Sequence, residues 1–458
     1  MRCSLVNTGD LYRSAVRYDA GFYLSEGVAI RRTLSHSPYT LVPIKKMSER
    51  IFYGVRASRI FVSKKDHAIP FLTGASIAQS DLDNTKLISK KYSPAIDEMS
   101  IKKGWVLITR SGTVGVTAWS NMNYEGKYGS EDIIRLVPNG KMKGGVIYAF
   151  LASKYGHSLL TQGSFGAVIQ HIEPAFVGEI SIPVFPEDMQ SRVHTLMEES
   201  ASLREKAALV KNNAIKYLEG LLNVPFKKAY RKDSVVLYRE VIASLQKRID
   251  PPALMNDGVE SMTYVRKHIE HALIMDLDVK VYRPGIFKRN YVSDGIPYIK
   301  GSEIFKFNPF NSCEQLSKTR TPFIEEMKLH EGQILITCAG SVGDVKMITK
   351  EYEDKDAIGS QDIIRLESKD ELFTKEYLFV YLQLPFVYDY IQSMKYGSVI
   401  ERIEPFHVES IPVIKPTKEV SEKITSLIQE YMDYSYRAFK SEEEAISLVE
   451  KEIESWSK

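Results

Sequence analysis

Two glutamates, each followed by a proline, are the residues whose type and position could support acid–base chemistry. Glu173-Pro174 and Glu404-Pro405 occupy matching places in two similar stretches of the chain. A positioned carboxylate can exchange a proton with a reacting group, but it can equally accept the hydrogen bonds that hold a turn, and we favour this structural role. Four glycines could line a ligand, although turns that need a positive φ explain them as well: Gly112, Gly115, Gly340 and Gly343.

The motifs by which cofactor and metal enzymes are recognised are absent from the sequence. It holds no Gly-x-Gly-x-x-Gly, no phosphate-binding loop, no His-Glu-x-x-His and no Cys-x-x-Cys. The string Asp250-Pro251-Pro252-Ala253 approaches the tetrapeptide of amino-methyltransferases but lacks its aromatic residue. His171 matches Arg402 in the second stretch, which argues against a metal or base role. The sequence therefore predicts a non-catalytic chain with no metal site and no bound cofactor.

The distribution of basic residues favours contact with a polyanion. Residues 31–110 hold 15 Lys and Arg against 6 Asp and Glu, whereas residues 417–458 hold 6 against 10. The formal net charge of the chain is only +3. The uneven distribution suggests one face for DNA and another for a different partner, while ordinary solvated surface is the competing interpretation.

The chain contains an internal repeat, and the paired glutamates and glycines fall at matching positions within it. Five blocks occur twice in the same order, which indicates one domain duplicated within the chain. The paired blocks are 17–19 and 248–250, 70–77 and 297–304, 107–115 (LITRSGTVG) and 335–343 (LITCAGSVG), 129–136 (GSEDIIRL) and 359–366 (GSQDIIRL), and 166–174 (GAVIQHIEP) and 397–405 (GSVIERIEP).

Each repeat contains short apolar runs that end in turns, and segments whose apolar residues have helical spacing. This pattern predicts an α+β unit with a twisted sheet. The predicted strands are 105–109, 133–137 and 180–184 in the first repeat, and 333–337, 363–366 and 410–414 in the second. The predicted helices are 146–160 and 375–394.

A long helix follows each repeat, at residues 187–223 and 417–458, and its apolar or small residues recur at steps of 3 and 4. This spacing is typical of a coiled-coil seam. Each helix would span roughly 50–60 Å, and we expect the two to pack antiparallel, relating the repeats by a pseudo-twofold axis; packing on the chain's own core is the alternative. The seam residues are Val193, Leu196, Ser200, Leu203, Ala207, Val210, Ala214, Tyr217 and Leu221, and Val420, Ile424, Leu427, Tyr431, Tyr434, Ala438, Ser441, Ala445 and Leu448.

The composition is that of a globular protein, with 44% hydrophobic and 26% charged residues among 458. Cys3, Cys313 and Cys338 are too few and too scattered for a disulfide framework or a zinc cluster. The first residues lack an apolar signal-peptide core, and no run approaches the roughly 18 apolar residues of a membrane span. We therefore expect a cytoplasmic protein.

With these features together, the chain resembles the specificity subunits of type I restriction-modification systems over nearly its whole length. Residues 180–186 (ISIPVFP), followed by Glu187-Asp188-Met189-Gln190, are similar to the family's "IPxPP…EQ" stretch before its helix. The second repeat keeps 411–416 (IPVIKP) but departs at 417–420 (TKEV). The openings Arg17-Tyr18-Asp19 and Arg248-Ile249-Asp250 resemble the family's "RxDA".

The resemblance implies a division of the chain and a set of partners. Residues 1–186 and 224–416 would be target-recognition domains, each reading one half of a bipartite, asymmetric DNA site, and the helices 187–223 and 417–458 would set the spacer. Two adenine methyltransferase subunits and the restriction/translocase subunits of a phage-defence complex would be the partners. S-adenosylmethionine, ATP and Mg²⁺ would bind to those partners and not to this chain.

The residues that discriminate DNA sequence are expected where the repeats differ, in residues 31–65 and 280–289. The candidate contacts are Lys45, Lys46, Arg56, Arg59, Lys64 and Lys65 in the first repeat, and Arg283, Lys288, Arg289, Lys318 and Arg320 in the second. A non-DNA adaptor dimerised by its helices, an enzyme with an unfamiliar site, and the specificity subunit of a fused restriction-methyltransferase are the alternatives.

Overall fold

The computed structural model describes residues 20–56, 58–62, 67–82, 85–93, 96–164, 170–226, 241, 248–254, 256–311 and 313–456. The predicted opening motif at 17–19, the basic pair Lys64 and Lys65, and residues 166–169 of the last shared block lie outside these ranges. The chain forms two compact units. Unit 1 comprises Met1–Glu205 with Arg437–Lys458, and unit 2 comprises Lys206–Tyr436.

Both units are mixed helix and strand, as the α+β prediction requires. The strands of unit 1 are β1 (Leu41–Pro43), β2 (Ser48–Tyr53), β3 (Ala68–Leu72), β4 (Lys86–Ser89), β5 (Val106–Thr109), β6 (Thr117–Trp119), β7 (Tyr128–Gly129), β8 (Ile133–Pro138) and β9 (Ser181–Pro183). Those of unit 2 are β10 (His271–Leu273), β11 (Val279–Tyr282), β12 (Tyr291–Val292), β13 (Ile296–Ile299), β14 (Glu314–Leu316), β15 (Ile334–Thr337), β16 (Val345–Met347), β17 (Ile358–Gly359), β18 (Ile363–Ser368) and β19 (Pro412–Ile414).

The main sheet has the same strand order in the two units. Unit 1 has an antiparallel sheet β2–β8–β5–β6, and unit 2 has β11–β18–β15–β16. The register also agrees, since Leu107 faces Arg135 in one and Leu335 faces Arg365 in the other. The second sheet differs, because β4–β3–β7 of unit 1 has three strands and β12–β14–β13–β17 of unit 2 has four. A two-stranded ribbon completes each unit, β1–β9 and β10–β19.

Short helices pack on these sheets. They are α1 (Ala20–Tyr23), α2 (Glu26–Ser35), α3 (Ile96–Met99), α4 (Gly144–Ala152), α5 (Lys154–Gln162) and α6 (Pro174–Glu179), then α8 (Pro251–Leu254), α9 (Asp257–His268), α10 (Ile324–Met327), α11 (Lys350–Asp354), α12 (Lys375–Tyr381), α13 (Pro385–Ser393) and α14 (Pro405–Glu409). Single-turn 3₁₀ helices occupy Ile44–Lys46, Gly74–Ser76, Met122–Tyr124 and Ile274–Asp276.

The helical spacing at 146–160 and 375–394 is confirmed, and each segment is a pair of helices. Ser153 interrupts the first with an extended backbone, and its side chain accepts a hydrogen bond from Gly156 N, so it starts α5 as an N-cap. Pro385 starts α13 at its first turn, the helix position where proline's missing N–H costs least. Helical spacing of apolar residues continues across both breaks and therefore conceals them.

Two long helices follow the repeats, α7 (Glu187–Leu222) and α15 (Lys418–Ser455). Glu187 and Asp188 favour the start of α7, because acidic side chains stabilise the positive end of a helix. The helix stops at Asn223, whose φ of 43° is left-handed, ahead of Pro225. Each helix contributes one half to each unit.

Within unit 1 the two helix segments run antiparallel, since Arg192 pairs with Glu444 at 2.7 Å while Ser200 Oγ donates to Ala438 O at 2.7 Å. Their apolar residues join the core beneath the main sheet, with Val193, Met197 and Ala445 fully buried. In unit 2, Ala214 and Leu218 share the core with Ile424 and Tyr431.

The predicted seam is wrong near the end of α7. Tyr217 and Leu221 are 40% and 51% exposed, whereas Leu218 is fully buried. A straight helix drifts by about 20° per heptad against a 3.5-residue repeat, so over the length from Val193 the buried stripe moves on by nearly one residue. Leu203, Ala207 and Ile424 are buried, and five other predicted positions are half-buried: Leu196, Val210, Leu427, Tyr434 and Leu448.

Among the described residues, no helix combines the length and the apolar content needed to span a bilayer.

Candidate nucleic-acid interface

A buried arginine holds together the turn on which the candidate interface of unit 1 is built. Arg135 of β8 is 0% exposed. Its Nη1 donates to the carbonyl oxygens of Ser130 and Ile133 at 3.4 and 2.8 Å, and its Nη2 to those of Met99 and Gly129 at 3.0 and 2.6 Å. Burial lowers the pKa of this guanidinium to about 10, which still leaves it charged at neutral pH.

Unit 2 repeats the arrangement at Arg365 of β18, which is also 0% exposed. Its guanidinium donates to Ser360 and Ile363 at 3.4 and 3.0 Å, and to Met327 and Gly359 at 3.3 and 2.8 Å. Burial again lowers the pKa to about 10. The shared block GSxDIIRL therefore encodes a turn that its own arginine clamps.

In unit 2 the structure brings four of the predicted basic residues onto two neighbouring loops. Lys288 and Arg289 precede β12, and Lys318 and Arg320 follow β14. Asn290 joins the loops, because its Nδ2 donates to Lys288 O at 3.4 Å and to Arg320 O at 3.3 Å. All four basic side chains are exposed, and they form the basic loop pair of unit 2.

Arg289 connects this loop pair to the clamped turn. Its Nε donates to the hydroxyl of Tyr298 at 2.9 Å, and its Nη2 lies 3.8 Å from the carboxylate of Asp362. Asp362 stands in the turn that Arg365 holds. The arginine is therefore anchored at the edge of the shared scaffold while its side chain stays partly open to solvent.

Arg283 follows β11, the neighbour of β18 in the main sheet, and its Nη2 pairs with Glu404 at 3.1 Å. Glu404 also accepts a hydrogen bond from the hydroxyl of Tyr396 at 2.7 Å and caps α14, reciprocally with His407. These partners agree with a structural role for the glutamate. All four glycines of the shared turns adopt positive φ, which agrees with turn geometry: Gly112, Gly115, Gly340 and Gly343.

In unit 1 the predicted residues divide into two places. Arg56 and Arg59 lie on the loop after β2, where Arg56 is exposed and Arg59 pairs with Glu131 of the clamped turn. The guanidinium of Arg59 also lies 5.1 Å from the centre of the Phe71 ring. Arg59 and Arg289 thus both pair with a carboxylate of the shared turn, Glu131 in unit 1 and Asp362 in unit 2, although these two carboxylates stand one place apart in the shared block.

Lys45 and Lys46 lie apart from that loop, on the 3₁₀ turn between β1 and β2. Lys45 pairs with Glu179 at the end of α6, at 2.5 Å, and both side chains are more than half exposed. Lys46 is exposed as well.

Sequence reasoning missed two cation–aromatic pairs in unit 1. The guanidinium of Arg110 lies 4.3 Å from the centre of the Tyr53 ring, and it pairs with Glu173 at 2.5 Å. Lys86 lies 5.4 Å over Phe61, which is 52% exposed. Basic and aromatic side chains interleaved in this way suit both phosphates and base faces.

One signal in the sequence could have found Arg110. It stands within a shared block, at the place where the second repeat has Cys338. Cys338 is buried, and burial raises the pKa of its thiol to about 11, so the residue stays neutral. A charge present in only one copy of a shared block marks a local difference in what the two surfaces contact.

Across the described ranges, no cluster of three or more His, Cys, Asp or Glu side chains is placed to hold a metal ion.

Residues 276–446 match the family model of the Type I restriction modification DNA specificity domain. Residues 276–446 are similar to this family's specificity domain. The matched specificity domain includes the basic loop pair, the clamped turn and Glu404, and continues into α15. The resemblance drawn from the sequence is therefore confirmed, and this part of the chain is a DNA-recognition domain.

Three solved structures are similar over most of the chain. The type I restriction-modification S subunit from M. genitalium is 12% identical, with 90% of this chain and 96% of that chain covered and a TM-score of 0.33. The HsdS subunit from Thermoanaerobacter tengcongensis is 14% identical, with 91% and 97% covered and a TM-score of 0.28. A chain from a structure of type I R-M complex assembly and conformational transition is 13% identical, with 91% and 98% covered and a TM-score of 0.27. No curated protein matches the chain.

Proposed function

We propose that this chain is the DNA specificity subunit of a type I restriction-modification complex, in which each repeat reads one half of a bipartite, asymmetric site. The family match of residues 276–446 carries the proposal. The first repeat supports its extension to unit 1, because the main sheet has the same strand order and the buried arginine donates to the four corresponding carbonyls.

The proposal assigns different tasks to the shared and the unshared residues. Exposed basic side chains such as Lys288, Lys318 and Arg320 would contact phosphates, which fixes register without reading sequence. Base discrimination would come from polar side chains of the loops that differ between repeats, since arginine to guanine and asparagine or glutamine to adenine are the common major-groove pairs. Two different loop sets would then read two different half-sites.

The chemistry of modification and restriction is assigned to other subunits. Two adenine methyltransferase subunits would dock on this chain, and restriction/translocase subunits would join them. S-adenosylmethionine, ATP and Mg²⁺ would be bound by those subunits. This chain would select the site at which the methyltransferase flips its adenine.

Methylation-sensitive sequencing tests the proposal directly. The chain is expressed with its methyltransferase partner in a host free of adenine methylation, and the genome is searched for a split methylated motif. Replacing residues 1–186 with the same region of a relative should change one half of the motif and leave the other half and the spacer unchanged. A continuous motif, or both halves changing together, would contradict one half-site per repeat. If the complex does not retain DNA, or retains it equally at all salt concentrations, the non-DNA adaptor is favoured.

A further inference from the structure

A loop of unit 2 carries two aliphatic side chains at its tip, exposed to solvent. Val399 is 93% exposed and Ile400 is 53% exposed, in the segment between α13 and α14. The loop belongs to a block that both repeats share, and the same Val-Ile pair stands at 168–169, outside the described residues. An apolar pair held in solvent in unit 2, within a block whose sequence the first repeat shares, calls for a contact that the chain alone does not provide.

The loop is preformed. Tyr396 and Arg402 exchange two backbone hydrogen bonds at its base, with N···O distances of 3.1 and 2.9 Å. Lys395 and Glu401 pair across it at 2.5 Å. Gly397 has a φ of 101°, and a Cβ atom there would lie 2.5 Å from Ile400 O, so only glycine fits the turn. The fixed base therefore lowers the cost of ordering the tip on binding.

The loop is also joined to the candidate DNA surface. Ile403 N donates to Cys338 O at 3.0 Å, and Gly340 N donates to Glu401 O at 3.4 Å, so its base rests on the shared glycine turn. The two nearby carboxylates are neutralised, Glu401 by Lys395 and Glu404 by Arg283. A polyanion approaching the tip would therefore meet paired charges and not a free acidic rim.

We propose that Val399 and Ile400 form an apolar wedge that enters a base step of the bound duplex and bends it. The inference rests on the proposed function and adds to it a contact that is independent of sequence. Apolar side chains inserted between base pairs partly unstack them and kink the helix. A bent, partly unstacked duplex is also an easier substrate for an enzyme that flips a base.

Three observations favour DNA over a protein as the occupant. A stable protein interface buries about 800 Å² on each partner, whereas two aliphatic side chains offer a small fraction of that area. The pair is identical in the two repeats, which suits a contact that does not discriminate between half-sites. It also lies within the matched DNA specificity domain.

The test uses the full chain in complex with its methyltransferase partner and a duplex carrying the mapped methylated motif, labelled at both ends for energy transfer. V399S with I400S should weaken binding roughly tenfold, since about 1.4 kcal/mol of buried apolar contact corresponds to that factor, and should reduce the bend. The dependence of affinity on salt should stay as in the wild type, because no phosphate contact is lost. I400F should keep the bend.

M275S is the matched control, since Met275 is 51% exposed on the 3₁₀ helix Ile274–Asp276 of unit 2; it should bind and bend like the wild type. Wild-type affinity and bend in V399S with I400S would overturn the wedge. The wedge would also be overturned if the purified variant lost the methyltransferase subunit while the DNA stayed bent. That result would make the tip a protein-docking surface. A wild-type complex that shows no salt-dependent retention of duplex would overturn the proposed function itself.

Discussion

Unit 1 and unit 2 agree in the buried arginine contacts of their shared turn and differ in the ion pairs of the matching glutamates. Arg135 and Arg365 donate to the same four carbonyl positions. In contrast, the matching glutamates are neutralised from different places, Glu173 by Arg110 of its own shared block and Glu404 by Arg283 after β11. At this turn the buried donors and acceptors are therefore the same in both units, while the matching glutamate pairs with an arginine from a different part of the chain in each.

The difference follows from what each kind of change costs. Losing one partner of a buried polar network leaves groups without hydrogen bonds, at about 1–3 kcal/mol each. Exposed ion pairs contribute about 0–1 kcal/mol, so a surface arginine can be lost at one position and gained at another. A duplicated DNA-reading domain can thus change its contacts while its turn geometry is retained.

The largest expected effect tests the shared interior. Arg135→Met and Arg365→Met should each destabilise their own unit by at least about 4 kcal/mol, because four buried carbonyls lose their donor. Hydrogen exchange measured by mass spectrometry reports the two units separately in one experiment. Arg50→Met, an exposed arginine of β2, is the control and should change little. A large effect in one unit and a small one in the other would show that the two clamps are not equivalent.

The second effect concerns a buried ion pair between the two long helices in unit 1. In unit 1, Glu442 of α15 is 0% exposed, pairs with Arg204 of α7 and accepts a hydrogen bond from Tyr148 at 2.9 Å. Glu442→Gln should cost about 3 kcal/mol, because it leaves a largely buried guanidinium without its anion. The melting temperature checks this against Glu422→Gln, an exposed glutamate of the same helix. A drop no larger than that of the control would contradict the prediction.

The third effect concerns the surface. Three substitutions should each weaken duplex binding roughly fivefold for every sequence: Lys288→Ala and Arg320→Ala in unit 2, and Arg56→Ala in unit 1. Each should also lower, by about 1, the slope of log affinity against log salt concentration. Lys423→Ala, exposed on α15, is the control and should have no effect on DNA affinity. Fluorescence anisotropy at several salt concentrations measures both quantities. A loss restricted to the cognate sequence would mean that the residue reads a base.

The smallest expected effect is a pH dependence of α14 in unit 2. Glu404 N donates to Nδ1 of His407 at 2.9 Å, which requires an unprotonated nitrogen. Burial lowers the pKa of His407, partly opposed by Glu404. The folded state therefore binds the proton less readily than the unfolded state. The stabilisation by the Glu404–His407 hydrogen bond is complete above the ordinary histidine pKa of about 6.5. It is lost as the pH falls through the lower pKa that His407 has in the folded state.

His407→Phe introduces the residue that unit 1 has at the matching position, Phe176. Hydrogen exchange of α14 should accelerate below pH 6.5 in the wild type relative to the variant. Equal acceleration in both would exclude His407 as the cause.

The duplication and the types of the main strands could be read from the sequence, because β5, β8 and their counterparts are short apolar runs within the shared blocks. The start of α7 after Pro186 and its end before Pro225 were also readable. The breaks at Ser153 and Pro385 were not, since helical spacing runs through them. The exposed Tyr217 and Leu221 show the same limit, because a regular step pattern does not record the drift of a straight helix.

The candidate interface was predicted less completely. Basic residues in unshared loops pointed to Arg59 and Arg289, and the structure places both beside the acidic turn. Arg110 was overlooked because it lies within a shared block, and the pairing of the loops through Asn290 depends on contacts between segments distant in sequence. Contacts of this kind follow from tertiary packing and have no local pattern.

The allocation of α15 has a consequence for the order in which the chain is made and folded. Ala445, Val449 and Ile453 complete the core of unit 1, yet they are synthesised about 250 residues after Glu205. At about 5–20 residues per second, the first unit waits roughly 12–50 s on the ribosome for its last helix, while unit 2 has all its residues earlier. We therefore expect the unit that is translated first to mature last, and nascent chains to expose an unfinished apolar sheet to chaperones in the meantime.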